Sequence, residues 1–269
     1  MSGSGLKFFD AGKFRMTYRE FGRSAEKTAV LLHGFCGSSE YWRYVWPELA
    51  LHFRVIVPDL RGHGASGLPE DEPSTMENLA DDIADLIRHL NGGPAVVLGH
   101  SLGGYVTLAL YERHPALCRA IGLVHSTPLP DTPEAKENRL AGISAIRENG
   151  IRPYVDNLIP KLFSPVHIAE RQAAVSEALR IGYAASPEGA CRVLEGMRLR
   201  PDRRSVLERA RVPVLLVAGS DDQIVPPERS FAADGPHIVK KTIETAGHMS
   251  MMEVPGRCAE TLVSFIRSA

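Results

Sequence analysis

Residues 99–104, Gly-His-Ser-Leu-Gly-Gly, set one serine among glycines, after the apolar run 95–98 and before a helical-looking stretch, 105–114. Gly and Ser are ordinary turn residues, but G-x-S-x-G at a strand-to-helix junction also describes a nucleophile elbow. There a tight turn with small neighbours holds the hydroxyl of Ser101 in the open. The helix that follows aims its free N–H groups and positive dipole end at the same spot, which favours an oxyanion. A serine hydroxyl is a weak nucleophile at neutral pH and needs a base. Of the ten histidines, His33, His63 and His100 lie in motif loops and suit backbone hydrogen bonding, while His52, His89, His114 and His237 suit solvated positions. His125, near the boundary of the helical stretch that begins at 127, and His167, inside that stretch, are less easily dismissed. His248, in the loop ETAGHMSMMEVP between the last strand and the last helix, is best placed to meet Ser101 at one sheet edge. The base needs an orienting carboxylate. Asp221 and Asp222 follow the strand 212–219, and both also suit a turn. Asp221 stands at the heart of that turn, where an aspartate bonds its own backbone two residues on, which favours Asp222 as the acid. The other strand end, after AIGLVHS, offers His125 and Ser126 with no carboxylate before Asp131.

The elements that must position these groups follow from hydrophobic patterning. Two short strands flank the turn Asp10-Ala11-Gly12, and apolar strands are expected over 29–33 and 53–59. A helix is expected over 40–50, and the clearest helix runs through STMENLADDIADLIRHLNGG. There Ser74 and Glu77 match a capping box, apolar residues recur at helical spacing, and glycines end the run. Strand, helix and strand then alternate up to Ser126. Residues 127–205 hold no convincing strand and three Pro-started helical stretches, 133–150, 164–182 and 186–200. Alternation resumes with 212–219, a short helix from 226, a strand over 238–244 and a closing helix over 255–268. The expected fold is α/β, a mostly parallel sheet of about eight strands with helices on both faces. It divides into a core of 1–126 and 206–269 and a helical cap, 127–205, inserted at one edge of the sheet.

Composition narrows the partners. The 269 residues are 44% hydrophobic, enough for a large core, and the formal charge of −1 lacks the basic surplus of a nucleic-acid binder. No window is apolar for eighteen residues, so no membrane span is expected, and the first residues do not read as a secretory signal. Cys36, Cys118, Cys191 and Cys258 are scattered, as reduced thiols in a cytoplasmic protein would be. With no clustered His/Cys ligand set and no G-x-G-x-x-G fingerprint, no metal or organic cofactor is expected.

Five segments together resemble the α/β-hydrolase fold superfamily: LLHGFCGSSEYW, VPDLRGHGASG, GHSLGG, GSDDQIVP and AGHMSMMEVP, in that order across nearly the whole chain. The resemblance implies a catalytic triad of Ser101, Asp222 and His248, since the family's acid stands three positions after the strand-ending glycine, here Gly219. It implies an oxyanion hole from the backbone N–H groups of Phe35 and Leu102, and a structural role for Asp59, Arg61 and His63. Within the superfamily the chain is most similar to small, cap-bearing carboxylesterases and enol-lactonases. That implies a small-molecule ester or lactone substrate hydrolysed through an acyl-enzyme on Ser101. Carbon–carbon bond hydrolases, cofactor-free haloperoxidases and ligand receptors on this scaffold share the triad. Trp42, Leu129, Phe163 and Met249 are candidates to line the substrate pocket, although each also suits plain core. Arg139, Arg147, Arg152 and Lys161 would suit an acidic acyl-carrier protein, but a solvated charged helix face accounts for them more simply.

Overall fold

Eight strands form one sheet in the computed structural model, which describes residues 5–22, 27–91 and 93–269. They are β1 (Lys7–Asp10), β2 (Arg15–Phe21), β3 (Thr28–Leu32), β4 (Arg54–Pro58), β5 (Ala95–His100), β6 (Cys118–Val124), β7 (Val214–Gly219) and β8 (Ile238–Ile243). Their order is β1-β2-β4-β3-β5-β6-β7-β8. The β1–β2 hairpin joins β4 antiparallel, and every pair from β4 to β8 is parallel. β3, β5 and β7 are buried along their whole length, as apolar runs covered on both faces must be. β8 closes the sheet with Lys240 and Lys241 exposed, a charged edge that resists pairing with another chain.

The helices are α1 (Trp46–Leu49), α2 (Met76–His89), α3 (Leu102–Arg113), α9 (Pro227–Ser230), α10 (Ser250–Glu253) and α11 (Pro255–Ser268), with α4–α8 between β6 and β7. α2 packs on α3 and α1 on α11, giving two helical layers about the sheet. The chain over 39–50 is not one helix. A 3-10 turn, Ser39–Trp42, is followed by α1 with Pro47 in its first turn, where the missing N–H is harmless but a continuous helix could not pass. The start of α2 lies one residue later than a Ser74–Glu77 box requires. Thr75 is the N-cap, its hydroxyl accepting from Asn78 N, whereas the Ser74 hydroxyl is buried without a partner. Residues 1–4, residues 23–26 and Gly92 of the expected core segment lie outside the described residues.

Between β6 and β7 lie α4 (Pro133–Asn149), α5 (Ile151–Leu158), α6 (Gln172–Tyr183), α7 (Pro187–Leu199) and α8 (Arg204–Glu208), the last crossing the expected boundary at 205. α5 follows Gly150, whose φ of 77° breaks the run from α4, and it was hidden in the sequence by Pro153. These helices rest on loops that leave the carboxyl edge of the sheet. Tyr154 meets Phe35 edge-on, Arg180 pairs with Glu40, Arg192 bonds Pro69 O at 2.7 Å, and Leu162 O accepts from His248 N at 2.7 Å. Arg139, Arg152 and Lys161 are engaged within the insertion, with Asp131 (3.1 Å), the Tyr183 ring (4.4 Å) and Asn157 (2.7 Å).

Candidate active site

β5 delivers Ser101 and α3 begins at the next residue, so the serine occupies the junction itself. Its backbone is left-handed, φ 50° and ψ −112°, a conformation strained for a non-glycine residue. Bonds from Ser101 N to Val124 O (3.0 Å) and from the Ser126 hydroxyl to Ser101 O (2.7 Å) hold it there. The flanking glycines answer to space. A Cβ on Gly99 would stand 2.1 Å from Gly103 O, and one on Gly103 2.6 Å from Leu32 O. Ser101 is partly exposed although residues 95–100 and 102–110 around it are buried.

Because β5, β7 and β8 run parallel, the segments after them emerge on one edge. His248 follows β8 and comes beside the residue preceding the serine. His100 Nε2 donates to His248 O at 2.9 Å, with the two rings 5.0 Å apart. His248 Nδ1 donates to Asp222 Oδ2 at 2.8 Å, both side chains being almost fully buried. Asp222 Oδ1 accepts from Ile224 N and Val225 N, each at 2.9 Å. Burial alone would push the Asp222 carboxyl up. The charge and hydrogen bond of His248, with the His125 imidazole close by, outweigh that and hold it well below the usual carboxylate range.

The two aspartates divide their work differently from the turn argument. Asp222 makes the bonds to its own following backbone, while Asp221 binds Ser164 Oγ (2.6 Å) and Ser220 Oγ (2.8 Å), tying the segment between β6 and β7 to the loop after β7. Asp222 does both tasks because its two oxygens face opposite ways, one into the turn and one toward the imidazole. Asp131 pairs with Arg139 and with Arg200 (2.7 Å), so it is committed elsewhere.

The loop after β3 adjoins the serine: a Cβ on Gly34 would lie 3.4 Å from Ser101 Cβ. Among the described residues, no hydrogen bond reaches the backbone N–H of Phe35 or Leu102. His33 is held by Gly34 O (2.8 Å) and Leu60 N (3.0 Å), and His63 donates to Arg61 O (3.1 Å). Burial pushes the His63 imidazole down to about 4, and those of His33 and His100 are lowered by burial as well. Asp59 accepts from Ser39 N (2.7 Å), Thr17 Oγ1 (2.9 Å) and Ala65 N (3.0 Å), and Arg61 grips Asp82 through two 2.6 Å bonds. These bonds staple the loops that frame the site. His237, expected in solvent, instead donates to Leu207 O at 2.8 Å, and His114 meets Asp81 at 2.7 Å. Of the expected pocket residues, Trp42 and Met249 are fully buried, Phe163 nearly so, and Leu129 partly exposed.

Sequence reasoning missed one group and left the contact of another unassigned. Glu253, wholly buried, accepts from Gly247 N (2.8 Å), Met249 N (3.1 Å), Ser164 N (2.9 Å) and Arg171 (2.5 Å). It clamps the backbone on both sides of His248. The signal was a lone charge between Met252 and Val254. The other is His125, whose Nδ1 lies 3.4 Å from Asp222 Oδ2. One donor atom from each of His125, Asp222 and His248 lies within 4.8 Å of the others. The Asp222 oxygen bonded by His248 also lies near the buried His125 Nδ1, which has no formed hydrogen bond among the described residues, and that accounts for the grouping.

The model of the alpha/beta hydrolase family matches residues 29–261. The chain is similar to a thermophilic esterase from Thermogutta terrifontis with malate bound, at 31% identity and a TM-score of 0.91 over 98% of this chain and 99% of that one. It is 30% identical to the dihydrolipoyllysine-residue acetyltransferase component of an acetoin cleaving system from Pseudomonas putida, over 96% of this chain and 68% of that protein. It is 28% identical to 3-oxoadipate enol-lactonase 2 of Acinetobacter baylyi, over 89% of this chain and 88% of that protein.

Proposed function

Since the chain belongs to the alpha/beta hydrolase family, we propose that it hydrolyses a small carboxylic ester or lactone through an acyl-enzyme on Ser101. The observation that carries this reading is the buried 2.8 Å bond between His248 and Asp222 at the sheet edge that presents the strained Ser101. Ser101 attacks the substrate carbonyl while His248 takes its proton. Asp222 holds the imidazole in the tautomer whose Nε2 is free to accept that proton. The N–H groups of Phe35 and Leu102 receive the oxyanion, and Leu102 N–H stands at the positive end of α3. The imidazole then protonates the leaving alcohol, and water, activated by the same base, releases the acid. No step requires a metal or organic cofactor. The similarity to an esterase and to an enol-lactonase supports this choice of substrate class. Hydrolysis of a panel of acyl esters and lactones, with and without EDTA, tests it. Turnover indifferent to EDTA is expected, and no turnover of any member would overturn the reading.

One ionisation should govern the acid side of the rate profile. A general base must be neutral, so kcat/KM should rise from the acid to the neutral range with a slope of one. Burial pushes His33, His63, His100 and His125 down and Asp222 is held well below the usual carboxylate range, so none of these is expected to add a second proton to that limb. A two-proton limb would show that a second group also has to titrate.

Residues 127–205 act in this proposal as a cap that selects the substrate, with Trp42, Leu129, Phe163 and Met249 toward the pocket. The bond from His248 N to Leu162 O and the Ser164–Asp221 contact support a cap seated on the site. Substitution of Phe163 or Leu129 should change the ratio of kcat/KM between short and long acyl esters, because one methylene in an apolar pocket is worth about 1–3 kcal/mol. Ratios that stay constant through a series of such variants would remove the cap from specificity.

A further inference from the structure

Asp222 is approached by two imidazoles. His125 follows β6 directly, and its backbone continues the ladder to β7 through a bond from His125 N to Val217 O of 2.8 Å. Its side chain is fully buried. Nδ1 lies 3.4 Å from Asp222 Oδ2, the oxygen already bonded by His248, and Nε2 lies 2.7 Å from Ser250 Oγ. These neighbours fix the tautomer. A lone pair on Nδ1 would face the lone pairs of a carboxylate, so the proton belongs on Nδ1, and Nε2 accepts from the Ser250 hydroxyl. The backbone supports a dedicated position. His125 has φ 50°, one of five left-handed non-glycine residues among those described, and Cys36 and Ser101, on the loops framing the same edge, are two others.

We propose that His125 is a positioning residue for the triad: fixed by Ser250, it donates Nδ1–H to Asp222 Oδ2 and so restrains and shares the carboxylate that orients His248. Ile224 N and Val225 N on Oδ1 and His248 Nδ1 on Oδ2 already hold the Asp222 carboxylate, and the buried His125 Nδ1, without a formed partner among the described residues, stands 3.4 Å from Oδ2. Charged and titratable groups face this spot from each neighbouring element: His100 from β5, Asp222 from the loop after β7, His248 from the loop after β8, and Glu253 from α10. Glu253 is itself paired with Arg171. Burial lowers the basicity of His125 more than Asp222 raises it, so His125 remains a neutral donor and does not compete with His248 for the charge. Removing its bond leaves the carboxylate less compensated, which strengthens its hold on a protonated His248. The acid limb of the rate profile should therefore move up.

The kinetic part of the test rests on the esterase reading. His125→Leu fills the space without a donor, whereas His125→Asn places an amide N–H near Nδ1 and tolerates the left-handed backbone. For the leucine variant, kcat should fall by about tenfold or more and the acid limb should rise by about half to one pH unit, the worth of one hydrogen bond. The asparagine variant should return the limb toward its wild-type place. Ser250→Ala, which frees the tautomer, should move it in the same direction as leucine by a smaller amount, and it decides the matter if the leucine variant does not fold. Thermal unfolding of each variant separates these effects from lost structure. A limb unmoved in folded variants, or leucine and asparagine variants with the same profile, would overturn the proposal. If the wild type turns over no ester, the functional reading fails by itself. The proposal is then read from the NMR titration of the His248 ring, whose midpoint must move up in His125→Leu.

Discussion

Ser101→Ala is expected to reduce ester turnover by about 10⁶-fold while leaving the thermal transition close to that of the wild type. In the proposed mechanism the hydroxyl is the atom that bonds to the substrate, so the loss is large because neither the oxyanion donors nor the imidazole can replace it. The fold should survive because Ser101 is held through its backbone, by Val124 O and the Ser126 hydroxyl, and not through its own side chain. Alanine also needs less room than serine in the left-handed turn between Gly99 and Gly103. Steady-state kinetics against p-nitrophenyl acetate, with a melting curve beside them, give the comparison. A variant retaining more than a few per cent of activity would move the nucleophile to another residue.

The second large effect separates two adjacent aspartates. Asp222→Asn should lose roughly 10³- to 10⁴-fold in kcat, because an amide at that position can offer His248 an N–H as readily as an oxygen and so admits the wrong tautomer. The backbone bonds from Ile224 and Val225 to Oδ1 can persist with an amide oxygen, so the turn should keep its shape. Asp221→Asn should cost about tenfold or less, since it weakens only the contacts to Ser164 and Ser220 at a partly exposed site. Kinetics of the two variants side by side decide the matter. The reverse ordering would give the acid's role to Asp221, and two mild losses would require a different carboxylate.

Much of this arrangement is legible in the sequence because it depends on local chemistry. Strands such as Ala95–His100 announce themselves as apolar runs ended by glycine, and parallel alternation sends the following loops to one edge. Ser101, Asp222 and His248, in three such loops, were therefore expected on one edge, where Asp222 bonds His248 and His248 meets the residue before Ser101. What stayed hidden depends on register and on side-chain direction. His125 reaches Asp222 because β6 pairs with β7 at Val124 and Val217, a relation between segments 93 positions apart that no local pattern encodes. Glu253 looks like one charge in the apolar run Met251–Val254, and its four donors come from three separate segments. The division of labour between Asp221 and Asp222 reversed part of the turn argument, since adjacent residues in a turn point in opposite directions and the sequence does not say which way. The start of α2 differed by one residue because Ser74 and Thr75 are both competent caps, and the burial of Ser74 decides between them.

The central claim is that Ser101 becomes acylated, and peptide mapping after reaction with a fluorophosphonate probe tests it most directly. Wild-type protein should carry the label at one site, on the peptide containing Ser101, at close to one equivalent. Ser101→Ala should take up none, and Asp222→Asn should label far more slowly than wild type. Label on a different residue, or a folded wild-type protein that stays unlabelled under conditions where it hydrolyses an ester, would contradict the account.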